Sequence, residues 1–369
     1  MKIVSVEAIP VNLPFHEPVS DAWGVYASSN HGIVVIRGDS GEYGVGEIAL
    51  AWFGGAHALC KEVNDLWAEK LVGMRVSDLS LVTSLLDSFC SFSKRHLLAK
   101  AGVEMALWDL LGKSLGVPVY ELLGGKVRGQ IALTGGISMG TVEHMTASAV
   151  GKVSEGFQEL KLKIGLDEDK DWAALHSIRR AIPDSVRIRV DVNMAWQDVK
   201  KAKRIIDRMT TLGVSIVEQP LHSERLSDLA WLRTNIDAIL LIDEGIWDVR
   251  DARKHLEMQA ADMLHVYISE AGGIAASKKI FELASLYEMD CTIGSMPEGK
   301  IGAAASAHVG AAMLNLSSHA SDIRGFTVYR EDVVNEELVI SAGSLIVPDR
   351  PGLGVTIDFA QLARMRVDQ

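Results

Sequence analysis

The chain has 369 residues, 48% of them hydrophobic and 23% charged, with a formal net charge of −11. That composition excludes a disordered or fibrous chain and fits a globular enzyme with a large core, long enough for two domains. The acidic balance argues against a nucleic-acid partner, which needs clustered Lys and Arg, but leaves an anionic substrate open because a bound metal can reverse the local sign.

Residues 1 to about 50 contain two strand runs, KIVSVEAIPVNL and GIVVIRGDSGEYGVGEI, with EPVSDAWGVYASSNH expected as a loop between them. Residues 56 to about 116 read as helices. The clearest is KAGVEMALWDLLGKSLG, with Ala101, Met105, Trp108, Leu111 and Leu115 near helical spacing and Gly116 as its stop. From about residue 131 the pattern changes to repeated strand, helix, strand, which implies a parallel sheet. Eight strands are expected near 131–136, 159–165, 187–193, 215–220, 238–244, 261–269, 290–295 and 319–323. After about 325 the text is irregular and is expected to fold back onto the first domain. The expected organisation is therefore an α+β capping domain at 1–125, a (β/α) barrel catalytic domain at 126–325, and a C-terminal segment at 326–369 that returns to the cap. Cys60, Cys90 and Cys291 are scattered and odd in number, which argues against a disulfide framework or a Cys-based zinc site. No stretch reads as a membrane span or a targeting leader, so a cytoplasmic protein without a membrane partner is expected.

Three carboxylates close successive strand runs: Asp191 in RIRVDVN, Glu218 in SIVEQP and Asp243 in AILLIDE, at steps of 27 and 25 residues. A step of that size suits one strand plus one helix of a barrel whose site forms at the C-terminal strand ends. Oxygen donors alone select a hard cation, and Mg²⁺ suits a site that supplies few carboxylates and leaves room for a substrate. Side chains alternate along a strand, so Glu159, Lys161 and Lys163 share one face, as do Arg187, Arg189, Asp191 and Asn193, and His265, Tyr267 and Ser269. The apolar residues between them would face the helices and the polar sets the lumen. Lys161 and Lys163 would lie about 6–7 Å apart along the strand, where mutual repulsion favours a neutral amine at one of them. Lys163, nearer the strand end, is assigned as the proton-abstracting base and Lys161 as its tuner. Such a base beside a metal-held carboxylate suits enolate chemistry.

The motifs GVGEI at 44–48, EMALWDLLGKSLGVPVYELLGGKVR at 104–128, KLKIG at 161–165, DVN at 191–193, EQP at 218–220, DE at 243–244, AGGI at 271–274, SMPEGKIG at 295–302 and RPGLGV at 350–355 run the length of the chain. In them the sequence resembles the enolase superfamily, muconate-lactonizing-enzyme subgroup of the mandelate racemase/muconate lactonizing enzyme family. The resemblance implies an α/β fold, a modified (β/α)7β TIM-type barrel under an α+β cap completed by the tail. It implies Mg²⁺ at Asp191, Glu218 and Asp243 with Glu244 behind them, Lys163 as base, Glu298 lining the site, and a homo-oligomer. One departure stands out. The subgroup carries a second catalytic lysine on the sixth strand, where this chain has Tyr267 in HVYISEAGGI. A phenol is a poor base at pH 7 but a usable donor.

One-base reactions on a small carboxylate are therefore expected, β-elimination or cycloisomerisation. Racemisation or epimerisation of an amino-acid derivative is the alternative, and a barrel that binds without turnover the third. Trp23, Tyr26 and Trp52 in the capping loops and Asn193 are expected to contact the substrate. Asp322 at the eighth strand is expected to pair with a substrate amine.

Overall fold

The computed structural model describes residues 1–20, 25–49, 55–91 and 93–368. Three antiparallel strands open the chain: Ile3–Ser20, Val25–Gly38 and Tyr43–Ala49. The first two pair from Ile3↔Gly38 to Ser20↔Val25, so much of the segment expected as a loop is strand. Pro14 and Pro18 hide this ladder in the sequence; the register breaks between Pro14 and Val19, where prolines leave no N–H to donate. One face of the sheet, including Val6, Ala8, Val34, Ile36 and Ile48, packs with the helices Ala56–Glu62, Leu79–Phe89 and His96–Leu115.

The helix His96–Leu115 is buried on almost every side from Leu97 to Leu110, which explains why its apolar residues overrun one stripe. It lies against the strand Tyr43–Ala49 so closely that a Cβ on Gly44 or Gly46 would overlap the carbonyl oxygens of Ala106 and Gly102. The GVGEI motif is thus a groove for a helix. The helix ends, as its sequence predicts, at Gly116 with φ 70°, whose N–H bonds Gly112 and Lys113.

Seven parallel strands follow in sequential order: Gly135–Ile137, Glu159–Lys163, Arg187–Asp191, Val214–Glu218, Ile239–Ile242, Met263–Val266 and Cys291–Ile293. Helices alternate with the later strands and bury Leu175, Ile178, Ile205, Ile206, Leu232 and Ile280 against the outward residues Leu160, Leu162, Val190, Val217, Leu240 and Leu264. The parity of the lumen-facing positions follows the sequence pattern, and Ile216, Leu241 and Met263 form a separate apolar cluster below Glu218, Asp243 and His265. The eighth expected strand is reduced to one bridge, Leu133↔Ser321. It still closes the ring. Ser321 N–H donates to Ala132 O at 2.8 Å and its carbonyl accepts from Thr134 N–H at 3.0 Å, while Asp322 N–H donates to Ile293 O at 2.7 Å. The first expected strand divides in two, because Gln130–Ala132 leaves the barrel to pair with Ser344–Ile346.

The tail grips the cap. Arg330 N–H donates to Pro14 O at 2.8 Å and Val367 N–H to Pro10 O at 3.1 Å. Asp109 on the long helix accepts from Val45 N–H at 2.8 Å and from Leu353 N–H, in the PGLG turn, at 2.7 Å. Two more carboxylates lock cap to barrel. Glu104 accepts from Ala275 N–H at 2.9 Å beside the GG turn, and Glu47 accepts from Gly299 and Gly302 N–H at 2.7 and 2.8 Å, at the start of the helix Lys300–Ala312. No helix among the described residues is long and apolar enough to cross a membrane.

Candidate active site

Lys163, Asp191 and Glu218 are register partners across three adjacent strands, each the last residue of its strand. Asp243 follows directly after the fifth strand. The carboxylates of Asp191, Glu218 and Asp243 are buried, and each offers an oxygen within 4.8 Å of the others. The backbone that carries them is under strain: Asn193, Met194 and Gln219 have φ of 45°, 62° and 36° without being glycine. Gln219 joins two strand ends, its Oε1 accepting from Asp243 and Gly245 N–H at 3.0 and 3.3 Å and its Nε2 donating to Leu221 O at 2.9 Å. Sequence reasoning gave this residue no role, although its place between Glu218 and Pro220 in EQP marked it.

Negative charge at this rim is in excess. Burial, then the charges of Glu244 and Glu218, push the Asp243 carboxyl well above its ordinary value. Burial also raises Glu244, whose buried Oε2 has no partner among the described residues. An all-oxygen donor set with uncompensated carboxylates and an orphaned oxygen suits a hard divalent cation. The residues present fit one.

Lys161 and Lys163 differ sharply in surroundings. The Lys161 ammonium is buried and donates to Glu218 Oε1 and Asp322 Oδ2, both at 2.6 Å, with Asp191 Oδ2 at 3.1 Å. Burial alone would discharge it, but Asp191, Asp322 and Glu218 outweigh that and hold its pKa well above the ordinary value. Lys163, with 42% of its side chain exposed, donates to Asp191 Oδ2 at 2.6 Å and Asn193 Oδ1 at 2.8 Å. Asn193 in turn donates to Glu244 Oε1 at 2.9 Å, so the lysine sits at the end of an oriented chain. Burial opposes ionisation of Asp191, yet the two lysines hold its carboxyl low.

Across the lumen, the Tyr267 hydroxyl donates to Asp243 Oδ2 at 3.1 Å. Its ring meets His265 edge-on and fills the space above Gly294, where a Cβ would overlap Cε2. Burial and the charges of Asp243 and Glu218 push its phenol well above 10.

Asp322 is not free for a substrate amine. Its carboxylate accepts from Lys161 and from the Thr134 hydroxyl and stands 3.3 Å from His265 Nε2, because residue 322 closes the barrel wall rather than ending a strand at the rim. Glu298 is buried, with one oxygen accepting from Ser269 at 2.9 Å and the other from Ser295. Tyr26 is exposed on the cap hairpin opposite Val19. Trp23 and Trp52 lie outside the described residues.

Beneath the lysines runs an ionic layer that parity exposed but to which the sequence assigned no work. Arg189, fully buried, donates to Glu159 Oε1 at 2.6 Å and to Ala320 O at 2.5 Å, and lies 3.5 Å from Glu218 Oε2. Despite burial, Arg189 and His319 draw the Glu159 carboxyl down to about 2.

This fold and rim define a class of barrel enzyme, and comparison with known proteins gives the family. Residues 3–124 match the mandelate racemase/muconate lactonizing enzyme N-terminal domain, and residues 144–361 the enolase C-terminal domain-like family. The chain belongs to the muconate lactonizing enzyme subgroup of the enolase superfamily. It is 30% identical to the L-Ala-D/L-Glu epimerase of Bacillus subtilis (strain 168), over 96% of this chain and 97% of that one. With muconate cycloisomerase 1 of Rhodococcus opacus it shares 28% identity over 97% of each chain. The structure of the muconate lactonizing enzyme from Pseudomonas fluorescens complexed with muconolactone superposes with a TM-score of 0.91 at 30% identity, covering 99% of each chain.

Proposed function

We propose that this protein is a Mg²⁺-dependent lyase or cycloisomerase that removes the α-proton of a small carboxylate with one base, Lys163. The observation that carries this reading is the asymmetry of the lumen: an amine beside Asp191 on one wall, and on the other a phenol that donates to Asp243. Asp191, Glu218 and Asp243 would hold the cation, which when bound neutralises charge developing on the substrate carboxylate as the α-proton leaves.

The chain's own groups do the rest. Asp191 and Asn193 aim Nζ of Lys163 along one direction. Lys161, anchored on Glu218 and Asp322, is a standing positive charge two residues along the strand from the base. In a β-elimination the α-C–H bond breaks and the proton passes to Lys163 Nζ. The electron pair left behind forms the C=C bond as the bond to the β-substituent breaks, and the departing group, which carries off that bond's electrons, takes the proton back from Lys163. Tyr267 orients Asp243 and closes the far side to water.

The test is α-proton exchange in D₂O, read by NMR on acid sugars, hydroxyprolines, betaines and N-acylamino acids with Mg²⁺ present. Lys163→Ala is expected to lower exchange by about 10²–10⁴-fold. Tyr267→Phe is expected to retain exchange while weakening Mg²⁺ affinity by about tenfold. Unchanged exchange in Lys163→Ala would refute the base assignment. The similarity to an epimerase along nearly the whole chain favours a second reading, epimerisation, with Tyr267 or a water serving the second face. That reaction would place deuterium in both stereoisomers.

A further inference from the structure

We infer that the wall facing the metal-binding acids carries a recognition site for a second anionic group, and that the substrate is a dianion such as a dicarboxylate. The inference rests on the proposed function for the placement of the first carboxylate. Its basis is Arg324. This side chain follows the segment that closes the barrel, and its guanidinium packs against Gly136 of the first strand so closely that a Cβ there would overlap Nη2. Gly136 is the register partner of Lys161, and partners on adjacent parallel strands direct their side chains to the same face of the sheet. Lys161 points into the lumen, where it meets Glu218, Asp322 and Asp191. The guanidinium therefore fills the lumen space that glycine leaves open, level with Lys161.

No carboxylate of the described residues answers it. Arg324 Nε is buried without a partner, and the guanidinium forms no ion pair or hydrogen bond among the described residues. Every other buried or half-buried arginine or lysine of the lumen is paired: Lys161, Lys163 and Arg189 each hold at least one carboxylate. A guanidinium that has lost part of its hydration without gaining an acceptor destabilises the fold, and an anion that binds its planar fork removes that penalty.

Position gives the site its function. Asp191, Glu218 and Asp243 belong to the third, fourth and fifth strands, whereas Arg324 stands where the eighth position meets the first strand, across the ring. A substrate with one carboxylate at the acids and its α-carbon at Lys163 extends toward Arg324. The distal group it presents is an anion rather than the amine expected from Asp322, whose oxygens Lys161 and Thr134 occupy.

The test compares matched acids: succinate with butyrate, glutarate with pentanoate, adipate with hexanoate. Affinities for the full chain with Mg²⁺ are measured by ligand-observed NMR, which needs no turnover. At least one dicarboxylate is expected to bind about tenfold or more tightly than its monocarboxylate partner. Arg324→Met should bring that ratio close to one and leave the monocarboxylate affinity unchanged. Gly136→Ala, which displaces the guanidinium without removing its charge, should do the same, and keeps the test valid if Arg324→Met misfolds. Equal affinities within each pair for the wild type, or a dicarboxylate preference that survives both substitutions, would overturn the inference. Loss of Mg²⁺ dependence for the monocarboxylates would instead count against the metal-anchored reading. An Arg324-dependent preference persisting in EDTA would then still support the anion site.

Discussion

Tyr267 and Glu270 show how single residues set the chemistry of one strand end. The phenol has room only because Gly294 lacks a side chain, so the ring at the end of the sixth strand depends on the seventh. Three residues on, Glu270 is buried with its carboxyl pushed up to about 8, first by burial and then by the nearby charges of Glu298 and Glu244, with Lys94 opposing weakly. Below its ordinary 4.5 the group is neutral in both folded and unfolded chains. As pH rises toward 8 the unfolded chain releases the proton first, so Glu270 lowers stability progressively across that window. Glu270→Gln removes this titration. The stability advantage of the variant over wild type is expected to grow between about pH 4.5 and 8, by a few kcal/mol at most. Urea denaturation at several pH values measures it, and a difference constant with pH would contradict the assignment.

Among the elements, the helix His96–Leu115 matters most, because it touches both the cap sheet and the sixth-strand turn. Its side chains Glu104 and Asp109 receive backbone N–H groups from the barrel and the tail, and its backbone lies on Gly44 and Gly46. Gly46→Ala would drive a methyl into the Gly102 carbonyl, a backbone contact with no flexible end to yield. A loss of about 3 kcal/mol or failure to fold is expected, read from the denaturant midpoint. A loss below about 0.5 kcal/mol would show that helix and sheet can separate freely.

The molecule as a whole concentrates buried negative charge at one rim and offsets it only in part with Lys161 and Lys163. Cation binding should therefore stabilise the folded chain. At a hundredfold excess over Kd, Mg²⁺ is expected to add about 2.7 kcal/mol, visible as a rise in Tm that EDTA reverses. Asp243→Asn should abolish the rise. A Tm insensitive to Mg²⁺ in the wild type would remove the cation from this site.

The sequence alone determined the periodic part of this protein. Alternation placed Lys161, Lys163, Arg189, Asp191 and His265 on the lumen face, and the even strand spacing brought Asp191, Glu218 and Asp243 together. Such features are local: a strand's two faces and a repeat's length are written in consecutive residues. Tertiary structure decided the rest. The cap hairpin was hidden by its prolines, and the eighth strand shrank to one bridge because ring closure needs only a few hydrogen bonds. Asp322 became the anchor of Lys161 rather than a substrate contact. Arg324 came to rest on Gly136, a residue 188 positions away. Which charges find partners depends on distances between segments remote in the chain, and no local pattern encodes them.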